Sequence, residues 1–221
     1  MTVETSRGKF ITLEGGEGAG KSTQARLLAA NLERVGLVPV LTREPGGAPG
    51  AEEIRRLLVA GEPGRWTAMT EALLHSAARA DHLDRLVRPA LASGSWVVCD
   101  RFTDSTIAYQ GFGHGLDPTR IVELNRIVTG DTVPDLTVIL DLPVTEGLAR
   151  AGGRERAGRS GEDRYERMDF DFHERLREGF LAIARAEPER CVVIDARAPE
   201  EEVAAAIAGA VEERLLAGLT R

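Results

Sequence analysis

The run Gly15-Gly16-Glu17-Gly18-Ala19-Gly20-Lys21-Ser22-Thr23 has residue types and spacing suited to holding a polyphosphate. A Gly, four intervening residues, then Gly-Lys and a hydroxyl residue make a phosphate-binding loop. Small residues let backbone N–H groups wrap an anion. Lys21 supplies a point charge for the outer phosphates, and the Ser22 hydroxyl can ligate Mg²⁺. Glu17 does not fit that task, because a carboxylate repels the anion its neighbours would hold.

Further candidates sit where apolar runs stop. Arg43-Glu44-Pro45-Gly46-Gly47 follows Val38–Thr42, and Asp100-Arg101-Phe102 follows Trp96–Cys99. The guanidinium forks of Arg43 and Arg101 suit a second phosphate across a shared crevice. Asp100 can bind Mg²⁺ directly or through water. A third group, Arg150, Arg154, Arg156, Arg159, Arg164 and Arg167, is interleaved with Gly152, Gly153, Gly158 and Gly161. Such a run is ordinarily a solvated basic loop. Beside a phosphate loop it reads as a mobile lid over 150–167 that closes and brings arginines to a transferring phosphoryl group.

The elements that must position these residues follow from hydrophobic periodicity. Lys9–Glu14, Val38–Thr42, Trp96–Asp100, Leu136–Asp141 and Cys191–Asp195 read as short strands. Helical patterns lie between them: Gln24–Leu32, Ala51–Ala60, a long helix from Thr67 to about Ala92, Asp117-Pro118 to about Thr129, Val144–Ala151, Asp169–Ala186, and Pro199–Leu216. Strands separated by helices imply one parallel sheet covered on both faces, with ligands beyond the C-terminal strand ends. The expected fold is a P-loop NTPase-type three-layer α/β/α domain with a five-stranded sheet, one domain over 1–221. The composition agrees, with 43% hydrophobic and 29% charged residues. A net charge of −7 argues against a nucleic-acid polymer as partner. Cys99 and Cys191 lie in apolar runs and are expected to be buried and reduced. No apolar run approaches a membrane span, and Met1–Gly8 is polar without a signal-peptide core, so a cytoplasmic protein is expected.

Taken together these residues resemble the thymidylate kinase family, whose members phosphorylate dTMP to dTDP with ATP and Mg²⁺. The resemblance runs from about Lys9 to the last helix. It rests on Glu14–Thr23, Thr42–Gly47, Ala77-Ala78-Arg79-Ala80-Asp81-His82, Asp100-Arg101-Phe102, Ser105–Gly111, Pro134–Thr137 and Asp163-Arg164-Tyr165-Glu166. It implies that Glu17 faces the acceptor sugar and can bond its 3′-hydroxyl. Arg101 would clamp the dTMP phosphate, with Arg43 in a weaker role, and Arg79 would reach the base. Tyr109 would lie under the sugar and exclude a 2′-hydroxyl, while Ser105, Thr106 and Gln110 would bond the thymine edge. The loop has no arginine of its own, which fits the type whose catalytic arginines come from the lid. Arg154, Arg156 and Arg159 are then candidates, and Arg164 is the one best matched to the family. The resemblance also implies a homodimer, with the Ala/Leu-rich helix from Thr67 as contact face.

One position departs from the family. His75 stands where many members carry a Phe that stacks on thymine; a His can still stack, but it is smaller and titrates at about pH 6.5. Either His75 replaces the Phe, or the register shifts, or the base preference differs, which leaves a kinase for another mononucleotide or a nucleoside as the alternative reading. A nucleotide-dependent switch is a weaker alternative, since the chain has no Asn-Lys-x-Asp guanine-reading motif.

Overall fold

The structure is a computed structural model that describes residues 7–155 and 164–217, with the side chains of residues 154 and 155 outside that description. Five parallel strands form one sheet: β1 (Phe10–Gly15), β2 (Pro39–Arg43), β3 (Trp96–Asp100), β4 (Leu136–Asp141) and β5 (Cys191–Asp195), in the order β2-β3-β1-β4-β5. The helices are α1 (Lys21–Arg34), α2 (Pro49–Val59), α3 (Ala68–His82), α4 (Arg88–Ala92), α5 (Thr103–Thr106), α6 (Pro118–Thr129), α7 (Val144–Glu155), α8 (Phe170–Ala186) and α9 (Glu200–Val211).

Strand alternation builds the two cores. Ile11, Leu13, Val98, Leu136, Val138 and Leu140 point to the face covered by α1 and α9, against Leu28, Leu32, Ile207 and Val211. Phe10, Val97, Cys99 and Ile139 point to the opposite face, against Leu83, Val87, Leu91 and the α8 residues Phe172, Leu176 and Phe180. Thr12 and Thr137, paired across β1 and β4, share a buried hydroxyl hydrogen bond of 2.7 Å. Both cysteines are buried and free. Among the described residues, no helix is long and apolar enough to cross a membrane.

Several helix starts follow from local chemistry. Thr67 accepts from Thr70 N, Asp117 from Thr119 N and Asp169 from Phe172 N, each satisfying a donor left over at a helix N-terminus. Two expectations need correction. The long helix to Ala92 is interrupted by a wide π-type turn at Leu83–Val87, because Pro89 lacks an N–H and its ring would clash with the preceding turn. The segment after β3, read only as a string of motif residues, is helical throughout: α5 runs into a second π-type stretch, Ile107–Gly113.

Candidate active site

The phosphate loop connects β1 to α1 and depends on left-handed glycines. Gly18 has φ 71° and Gly20 has φ 90°. A Cβ on Gly18 would also lie 2.1 Å from the carbonyl oxygen of Gly147, so the first turns of α7 pack directly against the loop. Lys21 opens α1 and reaches back, Nζ donating to Gly16 O at 2.6 Å. Burial and the nearby Arg101 push the Lys21 ammonium down, against the pull of Glu17, Asp100 and Glu14, to about 8. Ser22 donates its hydroxyl proton to Asp100 Oδ2. The other oxygen, Oδ1, is buried without a partner among the described residues. Both oxygen groups expected to meet Mg²⁺ therefore sit side by side at the loop, and hard oxygens suit that ion.

A cavity of about 500 Å³ opens beside the loop, lined by Gly18, Gly20, Thr23, Arg150, Arg197 and Pro199. Arg150 Nη1 donates to Ala196 O at 2.9 Å. The cavity's far wall, Arg197 and Pro199, had no assignment from the sequence. Its signal was the segment after β5, which the rule of C-terminal strand ends marks as a site edge.

On the other side lies a second cavity of about 130 Å³, lined among others by Glu17, His75, Arg79, Arg101, Tyr109 and Gln110. Arg101 is its charged centre. Its Nη1 donates to Gly15 O at 3.2 Å and to Ser105 Oγ at 3.1 Å, and Nη2 donates to Glu17 Oε1 at 3.1 Å. The guanidinium carbon lies 4.9 Å from the Tyr109 ring centre. Burial works against the charge on Arg101, but Tyr109, Glu17 and Asp100 outweigh it and hold the group protonated. Burial pushes Glu17 up, while Arg101, Lys21 and the hydroxyl of Tyr109 pull harder and leave it ionised, at about 2. Glu17 is thus turned into the second cavity and held there by Arg101 and Tyr109.

Arg79 is almost fully buried and donates to Glu44 Oε2 (2.7 Å), Asn125 Oδ1, Phe102 O and Thr106 Oγ1 (3.0 Å each). Glu44 in turn meets His82 Nδ1 at 2.9 Å. The sequence reading passed over Glu44 and Asn125, though Glu44 lies inside a quoted motif. Tyr109 and Gln110 project from the π-type stretch into the same cavity. Gln110 is fully buried, and both atoms of its amide lack a partner among the described residues.

Three candidate residues are engaged by partners within the fold, and two glycines of the arginine run belong to a helix. Arg43 does not join Arg101 in the crevice: it is exposed and bonds Glu52 at 3.2 Å. Ser105 lines the second cavity, where its Oγ accepts from Arg101 and donates to Glu14. Arg164 is not aimed at the phosphate loop. It forms a buried fork with Glu71, two bonds of 3.0 Å, and adds bonds to Leu58 O and Glu62 O, so it ties its own segment to α2, α3 and the loop between them. Gly152 and Gly153 belong to α7 and do not loosen a loop. Arg156 and Arg159 lie outside the described residues, and only the backbone of Arg154, in the last turn of α7, is described.

His75 lines the cavity, and its Nε2 meets the hydroxyl of Tyr165 at 3.0 Å. That hydroxyl gives its proton to Glu71 Oε1 at 2.9 Å, so His75 Nε2 carries the hydrogen. Burial and Arg79 push His75 down to about 3, so the ring is neutral, contrary to the expectation of a group titrating near neutrality.

Comparison with known proteins agrees with this arrangement. The sequence profile of the thymidylate kinase family matches residues 13–207. A thymidylate kinase of Caulobacter vibrioides is 55% identical over 95% of this chain and 99% of its own. One from Rhodopseudomonas palustris is 57% identical over 95% of this chain and 91% of its own. The crystal structure of thymidylate kinase from Ehrlichia chaffeensis superposes with a TM-score of 0.75 at 35% identity, covering 93% of this chain and 99% of that one.

Proposed function

The chain belongs to the thymidylate kinase family, and from that premise we propose how it carries ATP-dependent phosphorylation of dTMP to dTDP. The ATP phosphates lie in the loop from Gly15 to Thr23, gripped by backbone N–H groups and by Lys21, which exchanges Gly16 O for a phosphate oxygen. The adenosine end occupies the cavity beside Arg150 and Arg197. dTMP enters from the opposite side, its phosphate on Arg101 and its sugar between Glu17 and Tyr109, whose ring would exclude a 2′-hydroxyl.

The observation that carries the base assignment is Gln110. A buried amide with neither group partnered costs free energy, and it offers one acceptor and one donor. Thymine presents an N–H beside a carbonyl oxygen, the complementary pair. Arg79, with four of its N–H groups held by Glu44, Asn125, Phe102 and Thr106, backs the same pocket, and the neutral His75 ring supplies a flat wall in place of the usual Phe.

The dTMP phosphate is already anionic, so attack on the γ-phosphorus needs no strong base. The protein's part is to align two nucleotides and offset their repulsion. Mg²⁺, held through Ser22 and Asp100, would supply further charge neutralisation at the β- and γ-phosphates. Arg154, Arg156 and Arg159 remain the candidates for the transferring group. We assign the protein to the cytoplasm and to a homodimer. Exposed Leu73 on α3 and Val122 and Ile127 on α6 offer its apolar contact face.

Purified protein given ATP, Mg²⁺ and each nucleoside monophosphate in turn tests the assignment. dTMP should be turned over best. A clear preference for another monophosphate would refute the base assignment and leave the loop assignment standing.

A further inference from the structure

Arg101 is the one described non-glycine residue with a positive φ, 73°. A left-handed arginine is strained, and such a backbone persists only where its surroundings over-determine it. We propose that Glu14 is the positioning residue that does so, and that through Arg101 it sets the grip on the acceptor phosphate. The inference rests on the reading that Arg101 holds that phosphate.

Glu14 lies near the C-terminal end of β1 and is fully buried. Its Oε1 accepts the backbone N–H of Phe102 at 2.7 Å, and its Oε2 accepts the Ser105 hydroxyl at 2.6 Å. The N–H of Arg101 itself donates to Leu13 O at 3.0 Å. The peptide groups on both sides of the strained residue are therefore tied to adjacent residues of β1. The side chain is tied as well. Arg101 can only donate, so Ser105 Oγ accepts from its Nη1 and gives its single proton to Glu14. One carboxylate thus fixes both the backbone and, through Ser105, the guanidinium.

The arrangement requires an acceptor at both oxygens of Glu14. Protonation, or an amide, places a donor against Phe102 N or Ser105 Oγ and turns the Ser105 proton toward Arg101. Burial and the neighbouring Asp104 push Glu14 up to about 7 despite its bonds to Ser105 and Phe102. Arg190 grips Asp104 with bonds of 2.7 and 3.0 Å, compensating that second acid. A fully buried carboxylate bonded to Phe102 N, next in the chain to Arg101, and to Ser105 Oγ, which Arg101 Nη1 also meets, is explained by the residue it restrains.

The test is a double-mutant cycle between Glu14→Gln and Arg101→Ala, read as KM and kcat/KM for dTMP and for ATP. Glu14→Gln should raise KM for dTMP about 10-fold and leave KM for ATP within about 2-fold. In the Arg101→Ala background it should cost nothing further, because its effect passes through the missing side chain. An equal loss in both backgrounds, or no change in KM for dTMP in the single variant, overturns the proposal. If Glu14→Gln fails to fold, Ser105→Ala provides the same cycle with a smaller effect, and additivity there overturns it too. Arg101→Ala alone separates the two readings. Unchanged use of dTMP would sink the phosphate assignment itself, whereas a large loss with a silent Glu14→Gln sinks only the role of Glu14.

Discussion

Replacing Arg101 with Ala removes the guanidinium that joins the phosphate loop to the acceptor cavity. Among the described residues its bonds go to Gly15 O, Ser105 Oγ and Glu17 Oε1, so three of its five N–H groups are engaged and two remain for a phosphate. A hydrogen bond between charged groups contributes about 1.5–3 kcal/mol, which gives about 3–6 kcal/mol for two. At 1.4 kcal/mol per tenfold, kcat/KM for dTMP should fall by about 10²–10⁴. On the proposed arrangement ATP meets the loop and Lys21, not Arg101, so its KM should change by less than about 3-fold. Arg101 is also the second cause, after burial, that lowers Lys21, so the variant should titrate Lys21 at higher pH. Steady-state kinetics with each substrate varied in turn gives the answer. Equal losses for ATP and dTMP would refute the division of the cleft on which the reasoning depends.

Lys21 must be charged to hold phosphate, and its ammonium loses its proton near pH 8, so kcat/KM for ATP should decline as pH rises through about 8 and stay flat just below; a profile flat to pH 9.5 contradicts this. Arg164→Ala strands the buried Glu71 carboxylate, a loss of about 3–5 kcal/mol, or about 6–20 °C in melting temperature, whereas the folded fraction at low temperature keeps most of its kcat; a large kcat loss in fully folded protein would restore Arg164 to the chemistry. Gln110→Leu should raise KM for dTMP about 10–100-fold and weaken discrimination between bases, with ATP use unchanged. Glu17 and Glu71 are held at about 2 in the folded chain against 4.5 when free: burial raises both, Arg101 and Lys21 outweigh it for Glu17, and His114 and Arg164 for Glu71. Their stabilisation is present above pH 4.5 and disappears as pH falls toward 2, by about 3 kcal/mol each, which acid titration followed by circular dichroism would detect as a loss confined to that window.

Strand positions and the loop were legible because they depend on local signals. Apolar runs bounded by polar residues located the strands, and the glycine-lysine spacing survives any tertiary context. What stayed hidden was set by partners far away in the chain. Arg43 and Arg101 look alike in sequence, each charged and each after a strand. Glu52, one turn into α2, draws Arg43 to the surface, while Glu17 and Ser105 draw Arg101 inward. Arg164 looked anion-seeking because its acid, Glu71, is 93 residues away. His75 looked titratable because periodicity reports neither burial nor the Tyr165 hydroxyl that fixes its tautomer. The π-type stretch carrying Tyr109 and Gln110 was read as motif rather than helix because Gly111 and Gly113 are poor helix formers.

The most direct test is a crystal structure with a bisubstrate in which adenosine and thymidine are joined by a phosphate chain. The account predicts the chain along Gly15–Ser22, one end phosphate on Arg101, thymine against the Gln110 amide and adenine beside Arg150 and Arg197. A thymidine end lying outside the Gln110 cavity, or a loop left without phosphate, would contradict it.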